Sequence, residues 1–230
     1  MADVRERFDD PEEQIRAAIE QHMSRMWTSA MGRVVSYDAA KQTASVQLTV
    51  KSFVKGEDGK RKAVDIPVLQ DVPVQFPGSG GQTMTFPVAV GDEVMVNFLS
   101  RASDAQQQSG GDQNPTDASV NSLSHPRALL GFKSAPKALA NVSTTATEVR
   151  SDDGNTKISI SGAGGVGVAT DKSVAITAAE GVTIGSGSGE TAITGTVRIT
   201  GELIVNDIVF STHKHTGVLT GGDTSTGPTN

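Results

Sequence analysis

From Asp152 to His215 the chain is a succession of short alternating runs: Lys157-Ile158-Ser159-Ile160, Ser173-Val174-Ala175-Ile176-Thr177, Val182-Thr183-Ile184, Ala192-Ile193-Thr194, Val197-Arg198-Ile199-Thr200 and Leu203-Ile204-Val205. Gly, Asp or Ser separates each run from the next. A period of two sends Ile and Val to one side of a strand and Ser, Thr, Lys and Arg to the other. Breakers this close together leave no room for a helix of ordinary length, so the region is all-β. Its apolar face consists of small β-branched residues, and no aromatic occurs between Phe132 and Phe210. A self-contained sandwich needs larger side chains to fill its core. Small residues at short spacing suit a narrow β-helix or an intertwined β-prism, whose core is closed most simply by further copies of the same chain.

The remainder of the 230 residues has the content of a modest domain. Residues 8–27 are expected to form an amphipathic helix. Asp9 or Asp10 would cap it, Pro11 would occupy the first turn, and Glu12 and Glu13 would complement the positive end. Ile15, Ile19, His22 and Met26 form a thin apolar face, for packing on its own domain or on a neighbouring subunit.

Residues 30–99 read as five or six short strands. Gly32–Tyr37 and Thr43–Val50 make a hairpin around Asp38–Gln42, and Lys55–Lys62 is a polar loop. Val64–Val74 is extended, with Pro67 and Pro73 pointing to edge or irregular pairing. The Gly78-Ser79-Gly80-Gly81 turn leads to Thr83–Pro87, and Gly91-Asp92-Glu93 opens a strand over 94–99. This order fits a small closed barrel of the OB type. Residues 101–120 read as a long polar surface loop, and Ala128–Phe132 returns to apolar content to finish the barrel.

The segment Ser211-Thr212-His213-Lys214-His215-Thr216-Gly217 carries the clearest chemical signal. In an extended chain His213 and His215 share a side, with Lys214 opposite. Two imidazoles are too few for a tight site, and a solvated pair without a ligand is the plain reading. Three chains about an axis would offer six nitrogens, an octahedral set that suits an iron ion and fits zinc less well. Such an ion would contribute to assembly free energy. The turn-rich end that follows, Gly221–Pro228, is either a loose tail or a fold-back that places Val218 or Leu219 in a tapering core.

Other constellations are weaker. His125 with Asp104 or Asp117 and a nearby Ser imitates a catalytic set, yet no nucleophile elbow accompanies it, and a loop histidine before Pro126 is expected. Gly78–Gly81 lacks the Lys of a phosphate loop, and Asp152-Asp153-Gly154-Asn155 reads as a turn rather than a calcium loop. Absence of Cys excludes disulfides and thiolate metal sites. A net charge of −6 argues against coating nucleic acid. Arg33, Lys41, Lys51, Lys55, Lys60, Arg61 and Lys62 supply some of the charge that an OB-fold binding single strands would need, with only Tyr37 and Phe53 close by. The N-terminus has no signal-peptide core, and no apolar run reaches the length of a membrane span.

The order of these parts, the His213-Lys214-His215-Thr216-Gly217 segment with Gly221–Pro228 behind it, and Gly91–Phe98 with Leu123-Ser124-His125-Pro126-Arg127 together resemble the baseplate central spike proteins of contractile-tailed bacteriophages, the group of the baseplate assembly protein V spikes. Arg101–Asp112 departs from related barrels, which often carry an aromatic there. The resemblance implies a mainly β homotrimer: a helical segment at 1–29, an OB-like barrel at 30–135, an intertwined trimeric β-helix or β-prism stem at 136–210 and a metal-binding tip at 211–230. It implies a non-enzymatic spike at the distal end of the virion's tail baseplate. The barrel would join the tail hub, contraction would drive the stem through the host outer membrane, and His213 and His215 of three chains would hold one iron ion. A trimeric β-helical tail fibre or tailspike that binds or cleaves surface glycan is the rival. Cleavage would need carboxylates roughly 5 to 9 Å apart across a groove, and the stem's acids lie mostly beside Gly turns, with no aromatic sugar platform.

Overall fold

The computed structural model describes residues 11–57, 59–187 and 189–214. The chain divides into two units, the first ending at Ala169 and the second beginning at Thr170.

In the first unit, helix α1 (Pro11–Met23) is followed by β1 (Ser29–Asp38), β2 (Thr43–Leu48), β3 (Ser52–Lys55), β4 (Arg61–Val64), β5 (Leu69–Gln75), β6 (Gly78–Ser79), β7 (Gln82–Thr83) and β8 (Glu93–Phe98). Then come helix α2 (Asp104–Ser109), β9 (Pro126–Leu129), a 3-10 turn at Ala135–Lys137, β10 (Ala146–Arg150), β11 (Lys157–Ser161) and β12 (Val166–Ala169). The helix expected over 8–27 ends at Met23. The amides of Arg25 and Met26 turn back to the carbonyls of His22 and Met23, tightening the last turn. None of its residues is buried.

Five strands close into a barrel in the order β1-β2-β5-β9-β8, an OB-like arrangement in which β5 and β9 run parallel and the other pairs are antiparallel. Alternation fills its interior. Ala44, Val46 and Leu48 of β2 and Val94, Val96 and Phe98 of β8 point inward, joined by Val34, Ile66, Val72, Val74 and Ala128. Strand β1 is long enough to pair with β2 at one end and β8 at the other, with a register shift between Val34 and Ser36 that helps it coil. Where it crosses the core only glycine fits: a Cβ on Gly32 would lie 2.5 Å from Val46 Cγ1 and 3.2 Å from Val96 Cγ2. Trp27 seals one end with an edge contact to Phe98, centroids 5.6 Å apart.

Three expectations need correction. Residues 52–64 form the β3–β4 hairpin, not a loop alone, because Ser52 pairs with Val64, Phe53 with Ala63 and Val54 with Lys62, and the Gly56 amide closes the turn on the Lys60 carbonyl. Thr83–Pro87 is not a strand; only Gln82–Thr83 pairs, with Gly78–Ser79. Residues 101–120 are not all loop: Ala105-Gln106-Gln107-Gln108 are good helix formers and make α2, which Gly110 ends.

Beyond the barrel, β10, β11 and β12 form an antiparallel sheet. Its two faces are reversed relative to a sheet that folds on its own chain. Glu148, Arg150 and Lys157 lie on the face sheltered by the chain itself, and Glu148 and Arg150 keep only 8% of their side-chain surface. Arg150 donates to the carbonyls of Ala140 and Asn141, both at 2.7 Å, and Lys157 Nζ sits 2.9 Å from Glu148 Oε1. The opposite face presents Thr147, Val149, Ile158, Ile160, Val166 and Val168 to solvent, with Ile158 52% and Ile160 55% exposed.

The second unit holds one ladder among its described residues, β13 (Ile204–Val205) with β14 (Ile208–Val209). The runs 173–177, 182–184, 192–194 and 197–200 make no ladder within their own chain, and Val174, Ile176, Val182, Ile184, Ile193, Val197 and Ile199 are all exposed.

Candidate functional site: the clasp at His213

The β13–β14 hairpin turns on Asn206 and Asp207, with φ of 50° and 63°. Two consecutive positive φ values are the mark of a type I′ turn, and an Asn-Asp pair tolerates them. The Phe210 amide donates to the Leu203 carbonyl at 2.8 Å, extending the ladder by one bond. Both the amide and the hydroxyl of Ser211 donate to Glu202 Oε1. The chain then curls, and the amides of Thr212 and His213 turn back to the Val209 carbonyl at 3.3 and 3.0 Å. This places His213 Nδ1 2.7 Å from the Phe210 carbonyl, with the two rings tilted and their centroids 5.3 Å apart.

A carbonyl only accepts. His213 Nδ1 therefore donates to it, and in the neutral ring Nε2 carries the lone pair that a metal binds. A metal-ligating histidine ordinarily donates its other ring N–H to a carbonyl or carboxylate, which fixes ring and tautomer. His213 meets that condition within its own chain, so the donor chemistry fits a transition-metal ligand. His215 lies outside the described residues. Among the described residues, no group of three or more His, Cys, Asp or Glu side chains is placed to hold a metal ion. The tip motif points to His213, and Glu202 and Phe210 lie outside it. The available signal was the Asn206-Asp207 pair between Leu203-Ile204-Val205 and Ile208-Val209, which marks a hairpin.

The barrel does assemble the residues that imitate a catalytic set. His125 is a loop residue before Pro126, as expected, but it is buried, at 2% exposure. Ser119 Oγ lies 2.7 Å from its Nε2, and Asp117 Oδ1 lies 3.8 Å from that atom. Asp104 Oδ2 is 3.3 Å from Nδ1, yet Nδ1 makes no hydrogen bond. The relay is thus broken at its carboxylate end. Ser119 is itself held in a turn whose amide donates to Asp117 at 2.7 Å, and these Ser119 hydrogen bonds pull the Asp117 carboxyl below its usual range. The cluster fastens the α2 loop to the barrel, where the His125 carbonyl accepts from Leu99 at 3.0 Å.

A groove of about 670 Å³ runs beside β9, lined by Phe86, Pro87, Leu129 and Phe132 and by the carboxylates of Asp92, Glu93 and Asp152. Each carboxylate is engaged. Asp92 accepts from Ala89, Asp152 pairs with Lys133, and Glu93 accepts from the amide and hydroxyl of Ser134, with Lys137 Nζ 3.5 Å away. The Ser134 amide, then its hydroxyl, and Lys137 hold Glu93 below the ordinary carboxylate range. No helix among the described residues is long and apolar enough to cross a membrane.

Two family models match the chain. Residues 31–131, which contain the whole barrel apart from the first residues of β1, match the phage protein Gp138 N-terminal domain. Residues 207–229 match the GpV apex motif, which begins inside the hairpin below His213. No curated protein matches the chain.

Proposed function

We propose that this chain, a phage baseplate-associated protein carrying a Gp138 N-terminal domain and a GpV apex motif, is the central spike that pierces the host outer membrane when the tail contracts. The observation that carries the reading is the reversed sheet. Charged side chains are sheltered on its inner face, while Thr147, Val149, Ile158, Ile160, Val166 and Val168 face outward. Apolar area of this kind is covered in a stable assembly. The occupant that fits is the same face of two further copies, because the alternation continues into the exposed runs from Val174 to Ile199, which lack a ladder partner in their own chain.

In a homotrimer these runs pair between chains. Axial load is then shared across many backbone hydrogen bonds, each costly to lose once sheltered from water. With the apolar faces covered by one another, the Ser, Thr and Lys side chains of the opposite face keep the shaft hydrated, so passage through the bilayer is mechanical. The barrel is left available to the tail hub, and the spike stands at the distal end of the baseplate in the virion. His213 and His215 of three chains would hold one iron ion, with zinc less suited, and bound iron would supply a node joining three chain ends at the apex. Within each chain, Phe210 holds the Nδ1 proton of His213 and leaves Nε2 as the donor.

Thermal melting of the full chain, with its iron and after stripping by a strong chelator, tests the apical site. The stripped form should melt lower, with the loss confined to the stem signal. Equal melting would remove the ion from the account.

A further inference from the structure

We infer that helix α1 (Pro11–Met23) packs against the same helix of two further copies, as a short parallel three-stranded coiled coil ahead of the barrels. Its seam is Ile15, Ile19 and His22, continued by Met26 just past the helix end. The pairing rests on the three-chain stem proposed above and adds a second place where the chains meet.

An apolar helix face is covered by its own domain or by a neighbour. The structure removes the first cover: no residue of α1 is buried, and Ile15, Ile19, Met23 and Met26 are all exposed. At 13 residues α1 also lies at the length, about 12–15 residues, where a helix alone is marginal in water, so packing must hold it. The spacing of the seam selects the packing. Its members follow one another at four, three and four residues, the alternation of the heptad repeat. Ile15 and His22 then take the d positions, and Ile19 and Met26 the a positions. Isoleucine at both a and d favours three or four strands over two. A separate stretch of sequence thus arrives at a stoichiometry that suits the stem. His22 puts a polar group in one layer, the kind of residue that fixes register at some cost in stability. Ala17, Glu20 and Gln21 lie on the far side of the helix and are exposed, as the outer face of such a bundle requires. Copies joined through a stem meet as if within one molecule and run in the same direction, so a seam this short does not have to capture dilute chains.

The chain has no Cys, so one introduced thiol reports its own neighbours. The full chain carries Ile19→Cys on the seam or, as the control, Ala17→Cys on the far side. Each is oxidised at low protein concentration and run on a denaturing gel without reductant. The mass of the unsubstituted chain in solution is recorded in parallel. A seam position brings two Cα atoms close to the roughly 4.4–6.8 Å that a disulfide spans, and position 17 holds them a helix diameter or more apart.

A thiol out of that reach joins another only by collision, so Ile19→Cys should give at least about tenfold more covalent pair than Ala17→Cys. Adding Ile15→Glu to Ile19→Cys should abolish the excess, because three like charges then crowd one layer of the seam. Equal yields from the two positions, or an excess that survives Ile15→Glu, overturn the inference while a three-chain mass leaves the stem standing. An unsubstituted chain with the mass of a single copy overturns the three-chain stem, and this pairing with it.

Discussion

Replacing Ile158 and Ile160 together by Ser isolates the effect of the outward apolar face. In a lone chain both residues already stand about half in water, at 52% and 55% exposure, so exchanging each for a polar residue costs that chain about 1 kcal/mol, the share of burial it supplies itself. In a trimer with these faces inward, the remaining half of each is buried. Full burial of such a side chain is worth about 1.5–3 kcal/mol, so the uncovered half adds about 1 kcal/mol. Two side chains in each of three chains give about 6 kcal/mol per trimer, or about four powers of ten in the assembly constant. Sedimentation of metal-free full chain over a dilution series in moderate urea measures this constant. Fluorescence of Trp27, the sole tryptophan, reports through its packing on Phe98 whether the barrel stays intact. The double variant should dissociate at far higher concentration than wild type with unchanged Trp27 emission. An unchanged dissociation midpoint would refute the reasoning, because these side chains would then be covered by nothing.

Further consequences follow from the barrel and the stem's base. Gly32→Ala should lower barrel stability by about 1–3 kcal/mol through overpacking against Val46 and Val96, seen as a lower denaturant midpoint by Trp27 fluorescence. Arg150→Ala should loosen the start of the stem, since the carbonyls of Ala140 and Asn141 lose their donor; Arg150→Lys should restore only part, and amide exchange of residues 146–161 would show it. Acid should weaken the first unit. Glu93, Asp117, Glu148 and Asp153 are all held below their usual carboxylate range, chiefly by hydrogen bonds from Ser134, Ser119, Lys157 and Ser151 respectively. A depressed folded-state value gives stability that is present above the unfolded value, 4.5 for Glu93, and lost as pH falls through the folded one. Melting temperature should therefore fall below about pH 4.5, and Glu93→Gln should flatten part of that slope.

The legible parts of this molecule were those written in local periodicity. Ala44-Ser45-Val46-Gln47-Leu48 and Val94-Met95-Val96-Asn97-Phe98 announce strands with one buried side, and they line the barrel as their alternation predicts. The alternation in 157–161 also gave a strand, but which face would be sheltered was not written in it. That depends on Arg150 reaching carbonyls ten residues back in the chain. The burial of His125 was hidden for the same reason: before Pro126 it reads as loop, and only the α2 segment folding over it brings Asp104 and Ser119 alongside. At the tip, His213 was visible as a residue type. Its orientation was not, because Phe210 meets it only once a hairpin with positive φ at Asn206 and Asp207 has formed.

The central claim is that three chains share one stem, and the mass of the 230-residue chain in solution tests it most directly. The chain weighs 23.8 kDa, and the account predicts a species of three times that mass persisting on dilution. A 23.8 kDa species, with residues 146–214 as well protected from exchange as the barrel, would contradict it.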